Sequence, residues 1–196
     1  MHEPRRRRLS VVESALILMA LAGSLAATEI PDLELSNDRP VRAGFLLVEG
    51  VYNTELMAPW DVFQHTRYHS SPHPGIEVMT IAQEKTPITT AEGLTIAPDH
   101  SFATAPPLDI LVVPSAEHSR DSDRPTAELI AWVKTAGSEA KFVVSLCWGA
   151  FILAEAGLLD NHACTTFPGE LQFFAETYPD LDLRINVSFV HDGGVL

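Results

Sequence analysis

The sequence predicts an α/β fold built on a mostly parallel sheet that helices cover on both faces. Short apolar runs alternate with longer helix-like segments from residue 41 onward. The runs DILVVP and KFVVSL lack polar alternation, as is typical of strands that are buried on both faces of a parallel sheet. With 196 residues, the chain has room for one domain of ordinary size.

The first 26 residues predict a secretory signal peptide. Four arginines, Arg5 to Arg8, precede an apolar segment that ends in small residues. The apolar segment is also long enough to remain as a membrane anchor, although Glu13 near its start weakens that alternative. A third interpretation is a gene start placed too far upstream. We expect an exported protein, periplasmic or extracellular, in which the polar, proline-bounded residues 27–40 form a linker.

The composition is strongly acidic, which disfavours nucleic-acid and membrane partners. The formal net charge is −13, and loss of residues 1–26, with four arginines and two glutamates, would make it −15. Such a charge repels phosphate groups. The eight histidines are scattered and no CxxC or HExxH motif occurs, so we expect neither a metal nor a cofactor. Two cysteines do not make a disulfide scaffold, although one bridge between them is conceivable.

The domain itself is expected to span residues 41–196. Its alternating segments are, in order, AGFLLVEG, ELMAPWDVFQHTR, IEVMTIA, LDILVVPS, PTAELIAWVKTAG, KFVVSL and WGAFILAEAGLL. Threonine-rich pieces on either side of Glu92-Gly93 predict a small hairpin at the edge of the sheet. Gly157 is placed to end the helix that follows KFVVSL. The segment GELQFFAETYPD predicts an amphipathic helix whose Phe173 and Phe174 cover the sheet or a partner subunit.

The last run, RINVSFVHDGGVL, predicts a strand, a Gly-Gly turn and the opening of another strand. An α/β domain normally covers its last strand with a helix, and no such helix follows here. We therefore expect a domain that is truncated at its C-terminus and lacks its final helix.

The stretch VVSLCWGAF fits a nucleophile elbow, in which a strand turns sharply into a helix with the reactive residue at the turn. Ser145 and Gly149 lie two residues before and two after Cys147, and they provide the small side chains that such a turn needs. The N-terminus of the following helix should lower the pKa of Cys147. The alternative is that Cys147 is a small buried apolar residue. Cys164 is expected to pack in a strand.

These segments resemble the ThiJ/PfpI family of the class I glutamine-amidotransferase-like superfamily. The resemblance covers residues 42–196 and rests on the motifs GFLLVEGVYNTELMAPWDVF, LDILVVPSAEH, SLCWGAFILAEAGLLDNHACTT and FVHDGGVL. It implies a flavodoxin-like fold in which Cys147 is the reactive residue and Glu55 hydrogen-bonds the thiol. A carboxyl beside a thiolate should be protonated, because two adjacent negative charges in a half-buried site are costly. Glu55 also suits a helix start, and both roles can coexist.

The sequence departs from the family pattern at two places. Many members have a histidine base after the strand that follows the elbow helix, and Phe167 stands there instead, which disfavours Cys–His protease chemistry. His118, in a loop that the family packs against the nucleophile, is an alternative base. The family's Pro-Gly-Gly is Pro-Ser-Ala here, so the N–H groups that stabilise an oxyanion would come from Ala116 and Trp148, while Ser115 adds a hydroxyl.

The resemblance leaves two functional hypotheses. The family includes isonitrile hydratases, glyoxalase-like and deglycase-like enzymes, chaperones and ligand-sensing domains of transcription regulators. In the first hypothesis, Cys147 attacks an electrophilic carbon of a small molecule and Glu55 handles the proton. In the second, the domain is a non-catalytic redox-sensing, chaperone or ligand-binding module. The expected partners are a small molecule and a second copy in a homodimer, with no nucleic acid and no membrane beyond an N-terminal anchor.

Overall fold

The computed structural model describes residues 38–117 and 125–196. The predicted signal peptide, most of the predicted linker and His118 lie outside these residues. Within them, no helix has both the length and the apolar character that crossing a membrane requires.

Strands and helices alternate in the described residues as the apolar runs predicted. The strands are β1 (Val41–Leu46), β2 (Ile76–Ala82), β3 (Ile88–Thr89), β4 (Thr95–Ile96), β5 (His100–Ser101), β6 (Ile110–Val113), β7 (Phe142–Ser145), β8 (Ala163–Cys164) and β9 (Asp182–Leu183). The helices are α1 (Asn53–His69), α2 (Ala127–Glu139), α3 (Gly149–Glu155) and α4 (Leu171–Thr177).

The central sheet is parallel and has the strand order β5-β2-β1-β6-β7. Its longer strands have the order β2-β1-β6-β7, in which β1 lies between β2 and β6. This is the flavodoxin-like order. Val195 adds a parallel bridge to Val143 on the outer edge of β7. The predicted fold class is confirmed.

Two apolar clusters lie on opposite faces of this sheet. On one face, Phe45 and Val112 are fully buried and pack near Trp60 of α1. On the other face, neighbouring residues of the same strands, such as Leu46 and Leu111, pack with residues of α2, α3 and α4. Because both faces are covered, successive residues of β6 are all apolar and buried, which explains the absence of polar alternation there.

Three local predictions can be compared with these elements. The hairpin around Glu92-Gly93 is present as the β3–β4 pair, but it pairs only with itself, and β5 takes the sheet edge instead. Gly157 ends α3 with a φ of 71°, as predicted. Phe174 is fully buried in the domain core, so it covers the sheet.

The strand predicted after Arg184 is wrong. Residues 184–190 form no strand, and Ile185 and Phe189 are largely exposed. An extended segment becomes a strand only when another strand offers it hydrogen bonds, and β9 ends its short pairing with β8 at Leu183. The turn and the opening of a following strand are present, since Asp192 and Val195 bridge each other and Val195 reaches β7.

Candidate active site

Cys147 occupies a sharp turn between β7 and α3. Its φ of 55° lies in the left-handed region, which non-glycine residues seldom adopt. The Thr166 hydroxyl donates a hydrogen bond of 3.0 Å to the Cys147 carbonyl, and the N–H of Leu146 donates one of 3.0 Å to the carbonyl of Val113. These bonds hold the backbone in the geometry of a nucleophile elbow.

Gly149 allows the elbow helix to approach the neighbouring strand. A Cβ at this position would overlap the carbonyl oxygen of Val113 and lie 3.0 Å from its carbonyl carbon. Glycine is therefore required here by a close approach between α3 and the backbone of β6.

Glu55 lies in the first turn of α1 and reaches the thiol from the neighbouring connection. Its Oε2 accepts a hydrogen bond of 2.7 Å from the N–H of Ser115, and its carboxyl group lies close enough to the side chain of Cys147 to raise the pKa of the thiol. The structure thus brings together the two residues that the family resemblance paired.

The pKa of Cys147 is raised, so the prediction of a lowered value is wrong. Burial makes the largest contribution, because it removes water from the charged form, and the charge and hydrogen bond of Glu55 raise the pKa further. The Ser115 hydroxyl and the N–H of Trp148 lower it, but they do not outweigh burial. The thiol therefore keeps its proton at neutral pH.

The loop after β6 is attached to the loop after β1 through backbone hydrogen bonds. The Ser115 carbonyl accepts a bond of 3.2 Å from the N–H of Tyr52, and the N–H of Glu117 donates one of 2.7 Å to the Gly50 carbonyl. Ala116 forms an antiparallel bridge with Val51 between these two bonds. The loop that carries Ser115 and Ala116 is therefore held in place beside Glu55.

Two residues near the thiol were missed by the sequence analysis. The pKa of Tyr52 is raised by burial and by the charges of Glu117, Cys147 and Glu55, which places its phenol in an acidic environment near the site. In the sequence, the feature that could have indicated Tyr52 was its position just before α1. Thr166 hydrogen-bonds the Cys147 carbonyl, and in the sequence its position immediately before Phe167 could have indicated it.

Two cavities flank the elbow. One, of about 370 Å³, is lined by Cys147, Cys164 and Phe167 among others, and the Phe167 side chain is half exposed there. The other, a cleft of about 950 Å³, is lined by Ala116 and Trp148 among others and does not include Cys147. Of these two cavities, the smaller one includes Cys147 in its lining, and the larger one offers more space.

The described residues contain no group of three or more His, Cys, Asp or Glu side chains that could hold a metal ion. His118 lies outside the described residues, so its suggested role as a base stays a prediction.

A sequence profile of the DJ-1/PfpI family matches residues 41–195. The chain belongs to the DJ-1/PfpI family. This confirms the resemblance that the four sequence motifs indicated. The crystal structure of a ThiJ/PfpI family protein from Pseudomonas syringae superposes with a TM-score of 0.63 at 24% identity, covering 88% of this chain and 69% of that chain.

Two curated relatives differ in their functions. Isonitrile hydratase of Pseudomonas putida is 29% identical over 128 residues, which cover 64% of this chain and 52% of the hydratase. The HTH-type transcriptional regulator GbdR of Pseudomonas aeruginosa is 24% identical over 155 residues, which cover 78% of this chain and 41% of the regulator. This DJ-1/PfpI chain thus spans about half the length of the curated relatives it matches.

Proposed function

We propose that this protein is a cysteine-dependent enzyme that acts on a small electrophilic molecule, with isonitriles as the first substrate class to test. The observation that carries the proposal is the position of the Glu55 carboxyl group, which the N–H of Ser115 holds at 2.7 Å and which lies close enough to the Cys147 thiol to raise its pKa. The similarity to isonitrile hydratase supports the choice of substrate class.

The proton in this proposal starts on sulfur. Because burial and Glu55 raise the pKa of Cys147, the resting thiol is neutral and lies beside the Glu55 carboxyl group. The sequence analysis expected a thiolate at this position instead. Glu55 is then suited to accept the proton as the sulfur attacks. Phe167 offers no imidazole for this step.

With an isonitrile, the sulfur bonds to the terminal carbon while Glu55 takes the thiol proton and delivers it to that same carbon. The product of this step is a thioimidate on Cys147. Water then adds across its carbon–nitrogen double bond, and expulsion of the thiol, with return of its proton, gives an N-substituted formamide. The net reaction adds one water molecule to the isonitrile and leaves Cys147 and Glu55 unchanged.

The experiment is a turnover assay on purified full-length protein with a panel of isonitriles and α-oxoaldehydes. We expect no turnover with Cys147→Ser and a loss of about 10²-fold or more with Glu55→Gln, because the proton carrier is removed. Cys164→Ser is the matched control, since this cysteine is buried and should be dispensable. Turnover by Cys147→Ser, or a folded wild-type protein that is inactive on the whole panel, would overturn the proposal.

The second candidate function is ligand binding without turnover. It is favoured by the match to a transcriptional regulator over 78% of this chain and by a thiol that stays protonated. In that case the panel compounds should raise the melting temperature of wild type and Cys147→Ser equally, without any product. The predicted homodimer is measured in the same preparations by sedimentation.

A further inference from the structure

The loop after β6 places Ser115 beside the elbow. Val113 pairs with Ser145 in the register of β6 and β7, so Ser115 and Cys147 each lie two residues beyond a matched pair at one edge of the sheet. The close approach of Gly149 to the Val113 carbonyl keeps the two connections in contact.

The backbone of Ser115 is held on both sides, which limits where its side chain can point. Its N–H donates to Glu55 Oε2 at 2.7 Å and its carbonyl accepts from Tyr52 at 3.2 Å. The residue is only 1% exposed. Within the described part of the chain, its Oγ has no hydrogen-bond partner of ordinary geometry. Buried hydroxyl groups without a partner are rare, so this one needs an explanation.

The nearest explanation is the sulfur itself. The Ser115 hydroxyl is close enough to Cys147 to lower the pKa of the thiol, and it is the largest of the influences that do so. The hydroxyl nevertheless forms no hydrogen bond with the neutral thiol. A thiolate is a stronger acceptor than a thiol, so the bond would form when the negative charge develops.

We infer that Ser115 is a further residue of the reactive site, whose hydroxyl donates a hydrogen bond to the Cys147 sulfur as that atom becomes negatively charged. The inference rests on the proposed function, because it concerns the proposed nucleophile. The hydroxyl supplies a donor that a glycine at this position would lack. It acts beside the N–H of Trp148, which already contacts the sulfur.

The test is the pH dependence of iodoacetamide alkylation at Cys147 in the full-length chain, followed by peptide mass spectrometry. In Ser115→Ala we expect the midpoint of the alkylation rate against pH to rise by about one pH unit, because a hydrogen bond to a charged group is lost. The rate below the midpoint should fall about tenfold. Ser115→Thr, which keeps the hydroxyl, should restore the midpoint. Ser115→Gly provides a second hydroxyl-free variant if Ser115→Ala folds poorly.

Ser145→Ala is the matched control. Its hydroxyl lies two residues before Cys147 and donates to the Leu196 carbonyl at 3.3 Å, so its loss should leave the midpoint unchanged. A midpoint in both hydroxyl-free variants equal to that of wild type would overturn the inference while leaving the proposed function intact. Failure of the proposed function shows differently, as loss of wild-type turnover on the substrate panel.

Discussion

Gly149→Ala tests the close approach on which the elbow depends. The added Cβ would overlap the carbonyl oxygen of Val113, which is part of a central strand and cannot rotate away. The overlap can be removed only if α3 moves away from β6. That movement would loosen the four residues that follow Gly149 in the helix, all at most 5% exposed, which are Ala150, Phe151, Ile152 and Leu153.

The expected magnitude follows from these contacts. Overpacking in a core costs about 1–3 kcal/mol and more where the backbone must shift. Replacing glycine by alanine in a helix increases the free energy of unfolding by at most about 1 kcal/mol, through helix propensity. We therefore expect Gly149→Ala to lower the free energy of unfolding by about 3 kcal/mol, near the upper end of the overpacking range. For a domain of this size, that is a melting temperature lower by about 6–12 °C.

Gly137→Ala is the matched control. A Cβ there would also overlap a neighbour, but that neighbour is Cδ1 of Leu158, the end of a flexible side chain. Leu158 can change its rotamer, and α2 gains helix propensity, so the free energy of unfolding should stay within about 1 kcal/mol of wild type. Urea unfolding followed by circular dichroism measures both variants. A Gly149→Ala protein within about 1 kcal/mol of wild type, or one no less stable than Gly137→Ala, would refute the reasoning.

Four further predictions concern the cysteines, Phe167 and the N-terminal segment. Cys147→Gly should be about 1 kcal/mol more stable than Cys147→Ala in urea unfolding, because only glycine adopts a φ of 55° without strain; equal stability would show an unstrained elbow. Burial, with a smaller effect of Asp182, raises the pKa of Cys164 from 9.0 to about 11. The unfolded chain therefore loses this proton first, and the free energy of unfolding should fall by about 2–3 kcal/mol as pH rises from about 9 to about 11. Cys164→Val should make this fall shallower, and an unchanged slope would contradict the assignment. Phe167→His should alter the alkylation rate of Cys147 without robust amidase activity, since a single imidazole lacks a partner to orient it unless Glu170 serves; substantial amide hydrolysis would show a latent Cys–His hydrolase. A reporter fused after residue 40 should cross the membrane, whereas a cytoplasmic reporter would show that the leader is not a signal peptide.

The features that were predicted correctly are those governed by nearby residues. Unbroken apolar runs predicted strands buried on both faces, because burial on two sides leaves no place for polar side chains. The elbow followed from the small residues around Cys147, although the clash that Gly149 avoids is with the Val113 carbonyl of the adjacent strand β6. The β3–β4 hairpin followed from Glu92-Gly93, where Gly93 adopts a φ of 87°.

The features that were missed depend on partners distant in the chain. Residues 184–190 have the composition of a strand, but strand formation needs a continuing ladder of hydrogen bonds, and the backbone ladder with β8 ends at the bond from the Arg184 N–H to the Cys164 carbonyl. The direction of the Cys147 pKa depends on how much water the fold removes, and this burial outweighs the donors that the sequence indicated.

On its own, the sequence determined the order of strands and helices, the position of the reactive-site turn and the family, because these depend on periodicity and on steric limits within a few residues. Only the tertiary structure decided whether the Cys147 thiol keeps its proton and which groups lie beside it. Glu55 and Ser115 lie 60 residues apart in the chain, yet they share a hydrogen bond of 2.7 Å beside the sulfur. Their contact exists because the carboxyl ends of parallel strands meet at one edge of the sheet, and no local pattern specifies that distance.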